Sequence, residues 1–251
     1  MTRLVDLSHP WSIHTPPWMG YASPRLYYTQ RHSMGGVVSQ WLETPLHVGT
    51  HLDSEMHGYS GGKDIASVPL DKLYGDAVIV DVSDVCGEFD IIRPEHLTRN
   101  VEIRKGDILI IHTGWHRYYY QAQEEDEETY FCRHPGPYLE CAQWFIDMEL
   151  KWTGTDTGSG DHPMNTAIRN LRPDIREEFE QKKGVKVDEA FPMKDYFAMH
   201  RIPFRKGIIH VENVGGDIAQ VLNRRCKIGC FPWRFEGGEA AMCRVVAFLD
   251  D

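Results

Sequence analysis

The sequence predicts a mixed α/β fold, because short apolar runs typical of buried strands alternate with segments of helical spacing. Four runs rich in valine and isoleucine are predicted as strands: 77–82, 108–112, 207–211 and 244–249. Helices are predicted at 94–98, at 138–150 and, as a more charged and solvated segment, at 168–183. This order of elements favours a mixed central sheet.

Turn residues support each predicted strand in order along the chain. Glycine-containing turns precede the four runs: Gly75-Asp76, Lys105-Gly106-Asp107, Arg205-Lys206-Gly207 and Gly237-Gly238-Glu239. The proline-rich segment up to Tyr28 predicts a rigid extended path with little regular structure. Its Trp11 and Trp18 either line an apolar pocket or pack beneath the loop. The acidic run 124–128 predicts a solvated loop or helix face.

Size and charge limit the classes of function. We expect the 251 residues to form one domain, 1–251, and the 41% hydrophobic and 25% charged residues are typical of a folded protein. The net charge of -10 argues against a nucleic-acid partner, which needs a basic face. The sequence has no long apolar run and no signal-peptide core, so we expect no membrane partner and a cytoplasmic protein. Six cysteines without a CxxC pair predict buried, reduced thiols.

The segment HVGTHLDSEMH concentrates metal-binding side chains. It places His47, His51, Asp53 and His57 within eleven residues, and imidazole and carboxylate groups hold divalent first-row ions. Val48 follows the first histidine, so the helical HExxH motif of metalloproteases is absent. Two imidazoles and one carboxylate leave a position open for water, which predicts a metallohydrolase.

A second ion needs a bridging carboxylate and further donors. Asp53 has two oxygens, which can span ions about 3.5 to 4 Å apart. The C-terminal half offers His200, His210 and Glu212 as donors. In a strand entered near Ile208, the side chains of Ile208, His210 and Glu212 share one face. Spacing alone does not choose between His200 and His210.

The motif His-x-Gly-Thr-His-x-Asp-x-x-x-His resembles the signature of the cyclase family, which includes bacterial kynurenine formamidases and isatin hydrolases. Further similarity covers most of the chain: Asp6-Leu7-Ser8, Pro16-Pro17-Trp18, 61–65 through Leu73, 108–115, 154–156 and the pair His200 and Glu212. The resemblance implies a swivelling β/β/α fold with a mixed central sheet. It also implies an oligomer, expected here as a homodimer or homotetramer, and a site for two divalent ions, Zn2+ or Mn2+.

Carried over residue by residue, the resemblance implies a role for each site residue. The implied metal ligands are His47, His51, Asp53, His200 and Glu212, with Asp53 bridging the two ions. His57 would carry the catalytic proton, and Trp18 would contact the substrate. The choice of His200 leaves His210 as a buried strand histidine.

Two departures from the family pattern concern the substrate. Kynurenine formamidases typically have an alanine-proline pair after the motif aspartate, where this chain has Ser54-Glu55. Glu55 would orient His57, repel a substrate carboxylate, or point to solvent. The longer middle of the chain implies a differently shaped pocket or subunit contact.

We therefore expect a metal-dependent hydrolase that acts on a small-molecule substrate: a cyclic amide, imide or lactone, or an arylformamide. The alternatives are a metal-dependent lyase or dehydratase and a non-catalytic metal-binding protein. A serine hydrolase is disfavoured because Ser159 has no glycine two residues before it, so the GxSxG spacing is missing.

Overall fold

Strands and helices alternate along the chain in a computed structural model that describes residues 1–250. The strands are β1 Thr2–Asp6, β2 Arg25–Gln30, β3 Ser39–Glu43, β4 His51–Asp53, β5 Tyr74–Asp81, β6 Ile91–Ile92, β7 Ile108–His112, β8 Gly136–Pro137, β9 Trp152–Thr155, β10 Ile209–Glu212, β11 Arg224–Pro232 and β12 Ala240–Asp250. The helices are α1 His32–Gly35, α2 Glu55–Gly58, α3 Leu70–Leu73, α4 Pro94–Leu97, α5 Glu127–Cys132, α6 Leu139–Asp147, α7 Ile168–Leu171, α8 Pro173–Lys183, α9 Val187–Ala190 and α10 Ala198–Arg201.

Eight of the strands form one mixed sheet, in the order β1-β12-β11-β5-β7-β9-β10-β4. Strand β12 also pairs with β4, so seven strands close into a barrel and β1 extends the sheet beside β12. Strands β5, β7, β9 and β10 run parallel, whereas β4, β11 and β12 pair antiparallel with their neighbours. The fold is mixed α/β, as the sequence predicts.

Side chains of the parallel strands alternate between two buried layers. In β5, Ala77 and Ile79 belong to the core inside the barrel, while Val78 and Val80 belong to the core shared with Phe145 of α6. Because both faces of such a strand are buried, its sequence is almost continuously apolar. This continuity explains why these runs are recognisable without any alternation of polar residues.

Local pattern identifies the buried elements but not their ends. The predicted strand 108–112 coincides with β7, and 244–249 lies within β12. The helix predicted at 138–150 is shorter, because α6 ends at Asp147 and Glu149 takes a left-handed φ of 51°. Pro173 divides the helix predicted at 168–183 into α7 and α8, since proline cannot donate the backbone hydrogen bond that a continuous helix needs.

The prediction of little regular structure up to Tyr28 is wrong at both ends of that segment. Strand β1 pairs with β12 from Thr2 to Asp6, and β2 pairs with β3 in a separate two-stranded sheet. The partner of β1 lies some 240 residues away, so a local pattern does not reveal it. The part between the two strands, which carries the prolines, is irregular as predicted.

The acidic run 124–128 is a solvated turn and loop up to Asp126, and its last two residues begin α5, so both predicted forms occur. Asp126 accepts a hydrogen bond from the backbone N–H of Thr129 at 3.0 Å and so caps the helix. Glu128 pairs with Arg133 and Arg172 at 2.8 and 2.6 Å. The six cysteines are free, and four of them are buried. Among the helices within residues 1–250, none has the length and apolarity needed to cross a membrane.

Candidate metal centre

The neighbouring strands β4 and β10 carry polar side chains on one face of the barrel. The strands are antiparallel, with Leu52 opposite Val211, and both of these residues belong to the core inside the barrel. Residues that alternate with them therefore point to the outer face. The residues on that face are His51, Asp53, His210 and Glu212, and all four are buried.

A tight turn and two short helices bring three more histidines to this face. Gly49 takes a φ of 68°, which lets the chain turn between His47 and His51. His57 lies on α2, directly after β4, and His200 lies on α10. The ring centre of His57 is 4.2 Å from that of His47 and 5.2 Å from that of His200.

Asp53 lies at the centre of this cluster, with no exposed surface. Its Oδ1 is 3.2 Å from His47 Nδ1 and 3.4 Å from His51 Nε2, and these two nitrogens are 3.1 Å apart. Its Oδ2 is 3.5 Å from His200 Nε2 and 3.3 Å from His210 Nε2. Each oxygen of Asp53 therefore faces its own pair of imidazole nitrogens.

Glu212 completes the second set of donors. Its Oε1 is 3.5 Å from His200 Nε2 and 3.2 Å from His210 Nε2. Two ligands that are each about 2.1 Å from a tetrahedral zinc ion stand about 3.4 Å apart. The donor separations on both sides of Asp53 match this spacing.

The donors are also left without partners inside the protein. Within the described residues 1–250, neither oxygen of Asp53 nor Nε2 of His210 has a hydrogen-bond partner. An unpartnered buried carboxylate is costly, and a cation held between the two donor sets would remove that cost. The residues present therefore fit divalent ions at this site.

The electrostatics of the cluster point the same way. Burial disfavours the charged form of His47, yet the carboxylates of Asp53 and Glu239 outweigh burial and raise its pKa to about 11. Burial likewise opposes protonation of His200, but Asp161 and Asp53 raise its pKa to about 10. The negative field that favours imidazolium at these positions is the field that attracts a divalent cation.

The structure brings the five ligands predicted from the sequence together, and it adds His210 to them. Spacing leaves the choice between His200 and His210 open and the family resemblance implies His200, whereas in the structure both residues point their Nε2 atoms at Asp53 and Glu212. The signal was present in the alternation of β10, because His210 shares a face with Glu212.

Two carboxylates that position the histidines were missed from the sequence. Glu239 Oε2 lies 2.8 Å from His47 Nε2 and 2.7 Å from His57 Nδ1. Asp161 Oδ2 accepts a hydrogen bond from His200 Nδ1 at 2.6 Å, which directs Nε2 of that ring at the cluster. Both residues are far from the motif in sequence, and the glycine-rich context of Glu239 indicates only a turn.

A cavity of about 260 Å³ opens above the cluster. Its walls include the aromatic rings of Trp18, Tyr21 and Phe197, and His57 and Arg201 also reach it. Trp18 and His57, to which the resemblance gives the roles of substrate contact and proton carrier, both line this cavity.

Glu55, whose role the sequence left open, lines a different cavity. That cavity is formed with Lys63, Lys72 and Arg205, among others. The carboxylate of Glu55 accepts a hydrogen bond from the hydroxyl of Tyr59 at 2.6 Å. This placement favours neither an orienting role toward His57 nor contact with a substrate in the cavity above the cluster.

Known proteins share this sequence pattern and this architecture. Residues 5–162 match the family model described as Putative cyclase. The kynurenine formamidase of Erythrobacter litoralis (strain HTCC2594) is 24% identical over 189 residues, which cover 75% of this chain and 81% of that protein. The kynurenine formamidase of Bordetella avium (strain 197N) is 26% identical over 182 residues, covering 70% and 81%.

Solved structures agree at the level of the fold. Isatin hydrolase A from Ralstonia solanacearum superposes with a TM-score of 0.75 at 18% identity, covering 99% of this chain and 92% of that chain. An isatin hydrolase bound to the product analogue thioisatinate gives a TM-score of 0.76 at 16% identity, covering 100% and 93%. Because the family match spans more than half of the sequence, this chain belongs to the cyclase family.

Proposed function

We propose that this protein is a metal-dependent hydrolase that cleaves a small cyclic amide, imide or lactone, or an arylformamide. The observation that carries the proposal is the buried Asp53, whose two unpartnered oxygens each face a separate pair of imidazoles. The similarity to kynurenine formamidases and to isatin hydrolases supports hydrolysis of an amide bond.

The donor chemistry supports two divalent ions, zinc or manganese. His47, His51 and Asp53 Oδ1 would hold one ion, and Asp53 Oδ2, His200, His210 and Glu212 would hold the other. Mixed nitrogen and oxygen ligands suit both metals. When bound, such ions lower the pKa of a bound water to about 7 and polarise a carbonyl group.

The contacts of His57 support a role in proton transfer. Its Nδ1 is engaged by Glu239 at 2.7 Å, which leaves Nε2 for a group in the cavity. There His57 takes the proton of the attacking water and returns it to the leaving nitrogen or oxygen as the carbonyl carbon becomes a carboxylate. Glu239 fixes the ring and stabilises the imidazolium that forms in between.

The charge of the site favours the same reaction. Among the ligands themselves, the carboxylates of Asp53 and Glu212 would offset two of the four positive charges of two divalent ions. The remaining positive charge would stabilise the oxyanion of a tetrahedral intermediate, an effect that is usually a large part of catalysis.

The cavity supports a planar substrate. Trp18, Tyr21 and Phe197 offer aromatic surface for a ring, and Arg201 offers a cation for a carbonyl or carboxylate group on it. A volume of about 260 Å³ suits a small ring system better than a peptide.

The test is hydrolysis by metal-free protein reloaded with zinc or manganese, measured by ultraviolet absorbance on a panel of arylformamides, cyclic imides and lactones. We expect metal-dependent turnover of at least one class. His57→Ala should lower kcat by about 10²- to 10⁴-fold while metal content stays unchanged. His14→Ala, which removes an exposed histidine, is the matched control.

Two results would overturn the proposal. One is hydrolysis no faster than in buffer across the panel for protein shown to contain metal, which would indicate a non-catalytic metal-binding protein. The other is wild-type turnover by His57→Ala, which would remove the proposed proton carrier.

A further inference from the structure

A second group of metal-binding side chains lies at one rim of the barrel. The parallel strands β5, β7 and β9 end side by side, and their last residues or the next ones are Asp81, His112 and Asp156. Ile79, Ile110 and Gly154 lie two residues earlier on the same strands. Ile79 and Ile110 belong to the core inside the barrel.

By strand alternation, this rim group faces the inside of the barrel, whereas the metal centre described above lies on the outer face of β4 and β10. The two groups share no residue. The carboxyl ends of adjacent parallel strands are a common location for ligand-binding residues. We propose that His112, His116 and Asp156 form a separate site for one divalent ion, with zinc as the ion of choice.

The distances within the proposed site of His112, His116 and Asp156 suit a single ion. Asp156 Oδ2 lies 3.0 Å from His116 Nδ1 and 3.8 Å from His112 Nε2. The candidate ligand atoms of the three residues all lie within 4.8 Å of one another. Ligands of a tetrahedral zinc ion are about 3.4 Å apart, so small side-chain movements place all three at binding distance.

His112 provides the observation that points to a ligand. Its Nε2 is buried and has no hydrogen-bond partner in the part of the chain that the structure describes, and only 5% of the residue is exposed. Its Nδ1 lies 2.8 Å from Asp81 Oδ1, which accepts a hydrogen bond from it. This contact places the proton on Nδ1 and leaves the lone pair of Nε2 directed at Asp156, as in carboxylate-histidine-metal arrangements.

Asp156 is held so that one of its oxygens faces both histidines. Its Oδ1 accepts hydrogen bonds from the backbone N–H and the hydroxyl of Thr113, at 2.8 and 2.7 Å. Its Oδ2 faces His112 and accepts hydrogen bonds from Nδ1 and the backbone N–H of His116, at 3.0 and 3.4 Å, and the residue has no exposed surface. An ion would therefore bind a carboxylate whose orientation is already fixed, and it would replace the proton on His116 Nδ1.

The site also has access and a defined chemistry. The His116 side chain is 25% exposed, which opens the group to solvent on one side. Two imidazoles and one carboxylate are borderline ligands that suit zinc and leave a coordination position open for water or a small ligand.

The experiment measures zinc per chain by elemental analysis, after metal-free protein is loaded with zinc and desalted. We expect wild-type protein to hold one zinc more than His116→Ala and His116→Gln, and His14→Ala to equal the wild type. Two substitutions of different size are used so that a local packing defect in one does not decide the result. Circular dichroism confirms that each variant is folded.

A third variant separates this site from the metal centre of the proposed function. Asp53→Asn should lose zinc at that centre and keep one zinc that disappears when His116→Ala is added. Equal zinc content in the wild type and both His116 variants would overturn the rim site, as would a folded Asp53→Asn protein without zinc. Neither result depends on whether the protein hydrolyses any substrate.

Discussion

Replacing Asp161 with asparagine tests whether a buried carboxylate holds His200 in its ligand orientation. Asp161 Oδ2 accepts hydrogen bonds from Nδ1 and the backbone N–H of His200, at 2.6 and 3.2 Å. Its Oδ1 accepts from the backbone N–H of Met199 and from the amide of Asn165, at 3.0 and 3.1 Å. All four groups that face Asp161 are therefore donors.

An asparagine has one oxygen and one NH2 group at these positions, so its NH2 group faces two of the four donors. Each buried donor left without an acceptor costs about 1 to 3 kcal/mol, so Asp161→Asn should lower the free energy of unfolding of the metal-free protein by about 1 to 6 kcal/mol, the smaller value applying where His200 Nδ1 changes from donor to acceptor. If the NH2 group faces His200, it donates to Nδ1 and forces the proton onto Nε2. That nitrogen is then lost as a metal ligand.

We expect Asp161→Asn to bind the zinc ion that His200 would hold about 10- to 100-fold less tightly than the wild type does. This loss equals about 1.4 to 2.7 kcal/mol of binding free energy. Zinc affinity is measured by competition with a chelator, and the free energy of unfolding by urea titration of the metal-free protein. Asp71→Asn, at an exposed aspartate, is the control. A folded Asp161→Asn protein with wild-type zinc affinity would refute the assigned role.

Two further predictions concern a positioning carboxylate and a buried histidine. Glu239→Gln should lower kcat about 10- to 100-fold with a smaller change in KM, because His57 loses the carboxylate that fixes its ring. The control Glu236→Gln, at an exposed glutamate, should keep the wild-type kcat. An unchanged kcat in Glu239→Gln would contradict this role. Burial lowers the pKa of His162 to about 3, below its ordinary 6.5, so the unfolded chain binds the extra proton and stability is lost as the pH falls from 6.5 toward 3. We therefore expect the free energy of unfolding, measured by urea titration between pH 7 and 4, to fall less steeply with pH in His162→Leu than in the wild type, by about 1.4 kcal/mol per pH unit. Equal slopes for the two proteins would rule out this contribution.

The sequence predicts the parts of the fold whose cause is local. The run 108–112 is a strand because both of its faces are buried, and continuous burial leaves a continuous apolar run. Strand β1 was missed because its pairing with β12 joins the two ends of the chain. The break between α7 and α8 also has a local cause, since Pro173 cannot continue the helix that precedes it.

The residues of the site also fall into those that local sequence predicts and those that it does not. The motif from His47 to His57 is compact in sequence, so its side chains remain neighbours in space. The positions of Glu239 and Asp161 beside His57 and His200 arise from sheet closure and loop packing, which no spacing along the chain encodes. His210 is an intermediate case, because strand alternation puts it on the same face as Glu212, whereas the family resemblance implies His200 as the ligand.

The central position of Asp53 also links distant parts of the polypeptide. It comes from β4, whereas His200, His210 and Glu212 come from α10 and β10, so an ion held by both groups would cross-link segments separated by about 150 residues. Such a cross-link restricts the unfolded chain more than one within a short loop. Metal binding would thus stabilise the fold by joining β4 to β10 and α10, and removal of the metal by a chelator would lower the stability of the protein as well as its activity.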